Sequence, residues 1–527
     1  MLSKPFAVQT NPLVAGIPSY CPVILCACER ERKSELAWIL LTEVVGVHSW
    51  SQWNAAVGAS SGWRGVSSAS SMSGVGECSN AGILSCSKTS TATDRVIQIR
   101  GGATECASSS GGRSGLSEWD LRRCSANVSV TGGTFDSVLC FGDSDWWYHN
   151  RGHADMQYMR RFARRCPVLY VNSLGMRRPR SSEGRVFVRR IARKALSIAR
   201  YCADGGEGFW VLSPVFFPVF TGWLGAAATK ILGLQITTLL RVLRMRRPLV
   251  WVVCPSAACV LDQVARAGLV YQFSDAYTEL SGGPHCLAGT MEARIARQAD
   301  LILCASKRLV ERARRLYGHG QYMEHGVDFE LFDSAVRKPC LPGPLRKSRR
   351  PMVGFFGNMD GNTVDRSLLE QVIRTRPQYQ FVFVGPMADE FRSLRRHPNV
   401  IAIPRQPYRT VAHYGAAFDV CLMPWLHNHW IEHCNPIKLK EYLALGKPVV
   451  STPFPELQRC GDLCYRASGA DDFAWSIDRA LQEDDERRQA ARQAWAARHT
   501  WDGRFAKVLH LCAERGITLD GSISCRC

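Results

Sequence analysis

Four groups of side chains in this sequence have types and spacings suited to chemistry on a phosphorylated ligand. The richest is the stretch Cys434-Asn-Pro-Ile-Lys-Leu-Lys-Glu-Tyr-Leu-Ala-Leu-Gly-Lys-Pro-Val-Val-Ser-Thr452. Asn435 is placed to cap a helix and Pro436 to sit in its first turn, where a missing N–H costs nothing. A helix N-terminus offers free N–H groups and a positive dipole end to an anion. Lys438, in the first turn, adds a point charge to the same anion. Glu441, one turn on, can accept hydrogen bonds from sugar hydroxyls. The second group, Gly357-Asn358-Met-Asp360-Gly361-Asn362, follows an apolar run. Its small residues let backbone N–H groups approach a diphosphate. No Gly-Lys-Ser/Thr follows, so it is not a Walker loop, and it lacks the G-x-G-x-x-G spacing of a nicotinamide site. The third group is Asp143 and Asp145 after the apolar run Phe135–Gly142, and the fourth is Asp275 after Leu269–Phe273. These carboxylates could contact a ligand at the strand ends, and Asp275 could also act as a base. Helix capping or loop hydrogen bonding is the plainer alternative for all three.

The elements around these residues alternate. Before residue 332, strands are expected at Phe135–Gly142, Val168–Val171, Phe209–Leu212, Leu249–Val253, Leu269–Phe273 and Leu301–Cys304. Helices are expected between them, including Val186–Tyr201, Thr229–Met245 and Lys307–Tyr317, the last capped by Ser306. A second series opens at Met352–Phe356 and continues through Phe381–Val384, Val400–Ile403, Asp419–Pro424 and Val449–Ser451, with helices from Asp471 to Cys512. Such alternation predicts parallel sheets covered on both faces. The fold class is therefore α/β, with two Rossmann-like domains facing across a cleft, because ligands bind at the carboxyl ends of strands in doubly wound sheets. The expected organisation is a Ser-, Gly-, Trp- and Cys-rich leader over 1–132, disordered or outside the true domain, then an N-terminal Rossmann-like domain over 133–332. A linker follows over 333–350, a C-terminal Rossmann-like domain over 351–515 and a tail over 516–527. Removing residues 1–130 should leave folding intact.

Composition narrows the partners. The chain of 527 residues has 66 basic and 46 acidic residues and a net charge of +20. Its arginine pairs are scattered over helical patterns and no nucleic-acid-binding module accompanies them, which favours a phosphorylated substrate or an anionic membrane surface over nucleic acid. The 22 cysteines include apolar strand positions such as Cys140, Cys254, Cys304 and Cys421 and form no metal spacing, which predicts a reduced, cytoplasmic chain. No uninterrupted apolar run of about 18 residues is read as a membrane span. The basic Val186–Tyr201 and Ile231–Arg247 helices, with Phe216-Phe217-Pro-Val-Phe220 between them, suit peripheral attachment to the inner face of a membrane.

Taken in order, Gly357-Asn358, Val384-Gly385-Pro386, Ala417-Phe-Asp419-Val-Cys-Leu-Met-Pro424 and the Asn435–Ser451 block resemble the nucleotide-sugar domain of GT-B-fold retaining glycosyltransferases of the group 1 class. They come close to bacterial transferases of surface polysaccharides such as teichuronic acid. Ala299–Ser306 and His325-Gly326-Val327-Asp328-Phe329 extend the resemblance, which covers about residues 135–515. It implies transfer of a sugar from a nucleoside diphosphate sugar to a glycan or lipid-linked acceptor, with retention, in polysaccharide biosynthesis. No metal or other cofactor is required. Lys438, Glu441 and Asp275 are then the catalytic candidates. Gly357, Asn358, His433, Asn435, Lys438 and Glu441 fall on the donor side, and Asp143 and Asp145 on the acceptor side. An Asp-x-Asp pair serves as a metal site in the other large transferase fold, but not on a first strand. Three departures stand out. His433, next to Glu432, occupies the place of the class's first glutamate. His325 replaces the usual Asn. Arg366 is the nearest match for a basic loop residue but lies further into its helix. A non-catalytic protein of the same fold, binding a nucleotide sugar or glycan, is the alternative; a basic nucleic-acid-binding protein is a more distant one.

Overall fold

The computed structural model describes residues 133–148, 152–175, 185–276 and 285–521, all within one compact unit, Val128–Cys527. The expectations for the leader fall outside the described residues.

The first half runs β1 (Thr134–Phe135), β2 (Ser137–Phe141), α1 (Ala154–Ala163), β3 (Val168–Val171), α2 (Arg185–Ala199), β4 (Cys202–Asp204), β5 (Trp210–Leu212), α3 (Gly222–Val242), β6 (Pro248–Val252), β7 (Gly268–Phe273), α4 (His285–Gln298), β8 (Leu301–Cys304), α5 (Lys307–Tyr317) and β9 (Gln321–Tyr322). Its sheet has the order β4-β5-β3-β2-β6-β7-β8-β9, parallel except at the β4–β5 edge. The central strands are buried along their whole length, as continuous Val/Leu/Phe runs under helices on both faces require. Ser306 caps α5 as expected, its hydroxyl accepting from the Leu309 N–H at 3.2 Å.

The second half runs α6 (Phe329–Arg337), β10 (Met352–Phe356), α7 (Arg366–Thr375), β11 (Gln380–Val384), β12 (Val400–Ile403), α8 (Tyr408–Ala417), β13 (Val420–Met423), α9 (His429–His433), α10 (Ile437–Ala444), β14 (Val449–Ser451), β15 (Cys464–Arg466), α11 (Ala470–Glu483), α12 (Glu486–Ala497), α13 (Trp501–Ala513) and β16 (Thr518–Leu519). Its sheet is parallel throughout, in the order β12-β11-β10-β13-β14-β15.

Three boundaries differ from the sequence reading. Helix α3 begins at Gly222, not at Thr229, because Ala226-Ala227-Ala228 are strong helix formers that carry it back across the glycines. It is long and apolar enough to cross a membrane by length and composition, which the reading from sequence had missed. Residues assigned to a linker are partly structural: α6 runs to Arg337, and Ala335 and Leu345 are buried in the second half's core. The expected tail returns instead to the first half. There Thr134 and Phe135 pair in parallel with Thr518 and Leu519, and Trp501, Phe505 and Val508 enter the core formed with Phe135, Val138 and Phe162. The side chain of Arg161 grips Asp502 in a two-point ion pair at 3.0 and 2.9 Å.

Candidate active site

The two halves meet at the carboxyl ends of their strands. In the second half, β10 leads into Gly357, β11 into Gly385 and β13 into Pro424, with α10 lying behind the first of these turns. Gly357 and Gly385 have φ of 137° and 142°, a region that favours glycine. A Cβ on Gly385 would lie 2.1 Å from the Gly357 carbonyl oxygen, and one on Gly357 would lie 2.5 Å from the Lys438 Nζ. The glycines thus allow the two turns to touch and the lysine to reach the backbone.

Lys438 is half-buried, with Nζ 3.9 Å from the Phe355 ring centre, a cation–π contact. Burial lowers its pKa to about 8, against the opposing pull of Glu441 and Asp360. Glu441, one turn later, is buried, and its Oε1 accepts from the Tyr408 hydroxyl at 2.9 Å. Burial raises Glu441 to about 7, although Tyr408 and Lys438 favour its ionised form. A desolvated cation beside a desolvated carboxyl, next to a turn of approaching backbone, is suited to receive anionic and hydroxyl groups together.

Asn435 does not cap α10. Pro436 occupies the cap position and no side chain bonds there. Asn435 is buried, donating to Glu456 at 3.2 Å and accepting from Lys440 at 2.6 Å. Its side chain holds the entry to α10, because two buried charged partners outcompete a solvent-facing cap. Lys440 is likewise buried and lies 3.8 Å from Glu324. Glu324 also meets Arg504 at 2.9 Å, Arg459 at 3.2 Å and His499 at 3.7 Å. Burial pushes the Glu324 carboxyl up, but Lys440 and the arginines prevail and hold it below its usual range. Glu456 accepts from the Lys307 N–H of the first half at 2.8 Å and from the Tyr322 hydroxyl at 2.9 Å. Sequence reasoning missed this ionic knot. Its members lie far apart in the chain, and only the unusual Lys-x-Lys repeat at 438 and 440 hinted at two differently used lysines.

The expected positions fall into three groups. Gly357, Lys438 and Glu441 lie together. Asn358 is exposed and donates to Asp360 at 2.7 Å, so it orders the turn. His433 bonds through Nδ1 to the His429 carbonyl at 2.7 Å, and Arg366 pairs with Glu370 at 2.8 Å on α7. His325 bonds through Nδ1 to the Asn435 carbonyl at 2.8 Å, which makes Nδ1 the donor. Burial and Lys440 lower His325 to about 4, so its ring is neutral near pH 7.

On the first-half side, Asp145 is committed to structure. It accepts from Ser197 at 2.7 Å and from the Trp147 N–H at 3.0 Å, within a buried set that includes Asn172 and Ser213. These are the bonds of the loop-bonding alternative for Asp145. Asp143 and Asp275 stay half-buried at strand ends. Burial and then the charge of Asp143 raise Asp275 to about 7. Burial, and then the charge of Asp275, raise the Cys434 thiol just before α10. Among the described residues, no group of three His, Cys, Asp or Glu side chains could hold a metal ion.

Residues 361–510 match the family described as "Glycosyl transferase-like". The chain is 29% identical over 231 residues to TuaH of Bacillus subtilis (strain 168), whose name assigns it provisionally to glycosyl transfer in teichuronic acid biosynthesis. That match covers 41% of this chain and 58% of TuaH, so the chain spans little over half the length of this curated relative. Among solved structures, sucrose-phosphate synthase from Thermosynechococcus elongatus aligns with a TM-score of 0.55 at 13% identity, covering 72% of this chain and 98% of that one. Anabaena HepE in complex with UDP and glucose aligns at 0.51 and 14% identity, covering 72% and 99%. These likenesses establish the fold, two facing Rossmann-like halves.

Proposed function

We propose that this chain, a group 1 glycosyltransferase of the GT-B fold, moves a sugar from a nucleoside diphosphate sugar to a glycan or lipid-linked acceptor in polysaccharide biosynthesis, with retention at the sugar carbon. The carrying observation is the placement of Lys438 against the Gly357 turn with Glu441 one helical turn behind it. The HepE complex with UDP and glucose and the teichuronic acid assignment of TuaH support the same donor class and pathway type.

Glycosyl transfer builds oxocarbenium character on the sugar and negative charge on the departing diphosphate, so catalysis rests on stabilising that charge. In this reading the α10 N-terminus and the Gly357 turn receive the diphosphate through backbone N–H groups. Its charge draws Lys438 fully into the ammonium form. Glu441, relieved of its unfavourable burial by ribose hydroxyl donors, ionises and accepts from them. Asp275, raised to about 7, takes the acceptor hydroxyl proton as the acceptor oxygen bonds the sugar carbon on the face from which the diphosphate departs, which keeps the configuration. No step is routed through a metal.

The second reading is donor binding without transfer. It is favoured by His433, which stands where a carboxylate belongs in the class and spends Nδ1 on the His429 carbonyl. A panel of nucleoside diphosphate sugars separates the two. Transfer predicts donor turnover that Lys438→Ala and Asp275→Asn both suppress. Binding alone predicts donor affinity lost on Lys438→Ala, with no turnover and no effect of Asp275→Asn. If neither substitution alters binding or turnover, both readings fail.

A further inference from the structure

Helix α3 presents an apolar face away from the core that its neighbours leave exposed. One side is anchored: Leu232, Ile236 and Leu240 are buried in the first half's core. The opposite side carries Trp223 at 78% exposure, Leu234 at 60% and Leu224 at 53%. At 3.6 residues per turn these lie roughly opposite the buried stripe. Phe217, at 70% exposure, joins them from the preceding segment. Gln235 pins that segment to the helix, accepting from the Val215 N–H and donating to the Val215 carbonyl, both at 3.0 Å. The apolar set is therefore held on a fixed scaffold.

Along this stretch of chain the charges have one sign. From Phe209 to Arg247 there is no Asp or Glu, while Lys230 and Arg241 on α3, and Arg244 and Arg246 beyond it, are exposed. Crossing a membrane would strip Leu232, Ile236 and Leu240 from the core. The helix is built instead to lie along an interface, its aromatic and aliphatic side chains entering the acyl boundary and its cations among headgroups. We propose that the Phe217–Arg246 surface docks this chain onto an anionic phospholipid bilayer.

The test is co-sedimentation of the full chain with vesicles of phosphatidylcholine alone or mixed with phosphatidylglycerol. The chain should bind the anionic vesicles and not the neutral ones, and lose binding as salt rises. Replacing Phe217, Trp223 and Leu234 together by Ser should reduce the bound fraction about tenfold or more without changing the melting temperature, since all three are exposed. Lys230→Glu with Arg241→Glu should weaken binding with the apolar set intact. Equal binding to neutral vesicles, no binding to either, or unchanged binding by the Ser variant would overturn the proposal. So would light scattering that shows a dimer which the Ser variant splits, since the face would then belong to a second copy. None of these readouts depends on donor turnover.

Discussion

Lys438 and Glu441 are held in tension by the same burial. The carboxyl is pushed up to about 7 and the amine down to about 8. A raised carboxyl favours the folded state while protonated; that contribution is complete below its ordinary value and is lost as pH climbs through about 7. Glu441→Gln should therefore leave stability near wild type at pH 5 and raise it by about 2–3 kcal/mol at pH 8, read from urea unfolding at both values. For Lys438 the sign is reversed. Its lowered pKa costs stability below about 8, so Lys438→Met should stabilise the free protein at pH 6 and have little effect near pH 10. Donor affinity would run the other way, falling with Lys438→Met at every pH. Gly385→Ala would place a methyl against the Gly357 carbonyl and should cost about 1–3 kcal/mol or more, measured by thermal unfolding. The residue-level chemistry was legible where it is local in sequence. Lys438, Glu441 and Gly357 stand together as their spacing implies. Asp145 and Asn435 went to structural bonds because Ser197 and Glu456 come from elements no local pattern could bring near.

At the scale of elements, α10 is positioned from behind. Arg492, buried on α12, donates to the Gly446 carbonyl at 2.7 Å and pairs with Asp484 at 2.7 Å, closing the helix end where Gly446 turns with φ of 71°. Glu324 ties Lys440 of α10 to Arg504 of α13. Removing one partner of such a buried cluster leaves uncompensated charge. Glu324→Ala should cost about 3–5 kcal/mol in urea unfolding and also weaken donor binding, although Glu324 does not touch the Gly357 turn. Strands and most helices followed from apolar runs and caps. The short β4, β9, β15 and β16 did not, since two or three residues carry no period.

For the molecule as a whole, the halves are joined twice, at the 329–345 segment and by the return of the chain's end. The doubly wound α/β class was legible from alternation alone. The return was not, because α13 reads like any amphipathic helix and its target face lies some 340 residues earlier (Arg161 to Asp502 is a separation of 341). Ending the chain after Ala497 would uncover Phe135, Phe162 and Val138 and remove Arg504 from Glu324. The product should be insoluble or bind an apolar dye, whereas ending it at Gly521 should leave the melting temperature unchanged. Assignment as a transferase rests on the donor side, so calorimetry of nucleoside diphosphate sugars against wild type and Lys438→Ala tests it most directly. A donor that binds wild type and loses about 10²–10³-fold in affinity or turnover on this substitution is the predicted result. Equal binding by both proteins, with folding intact, would contradict the account.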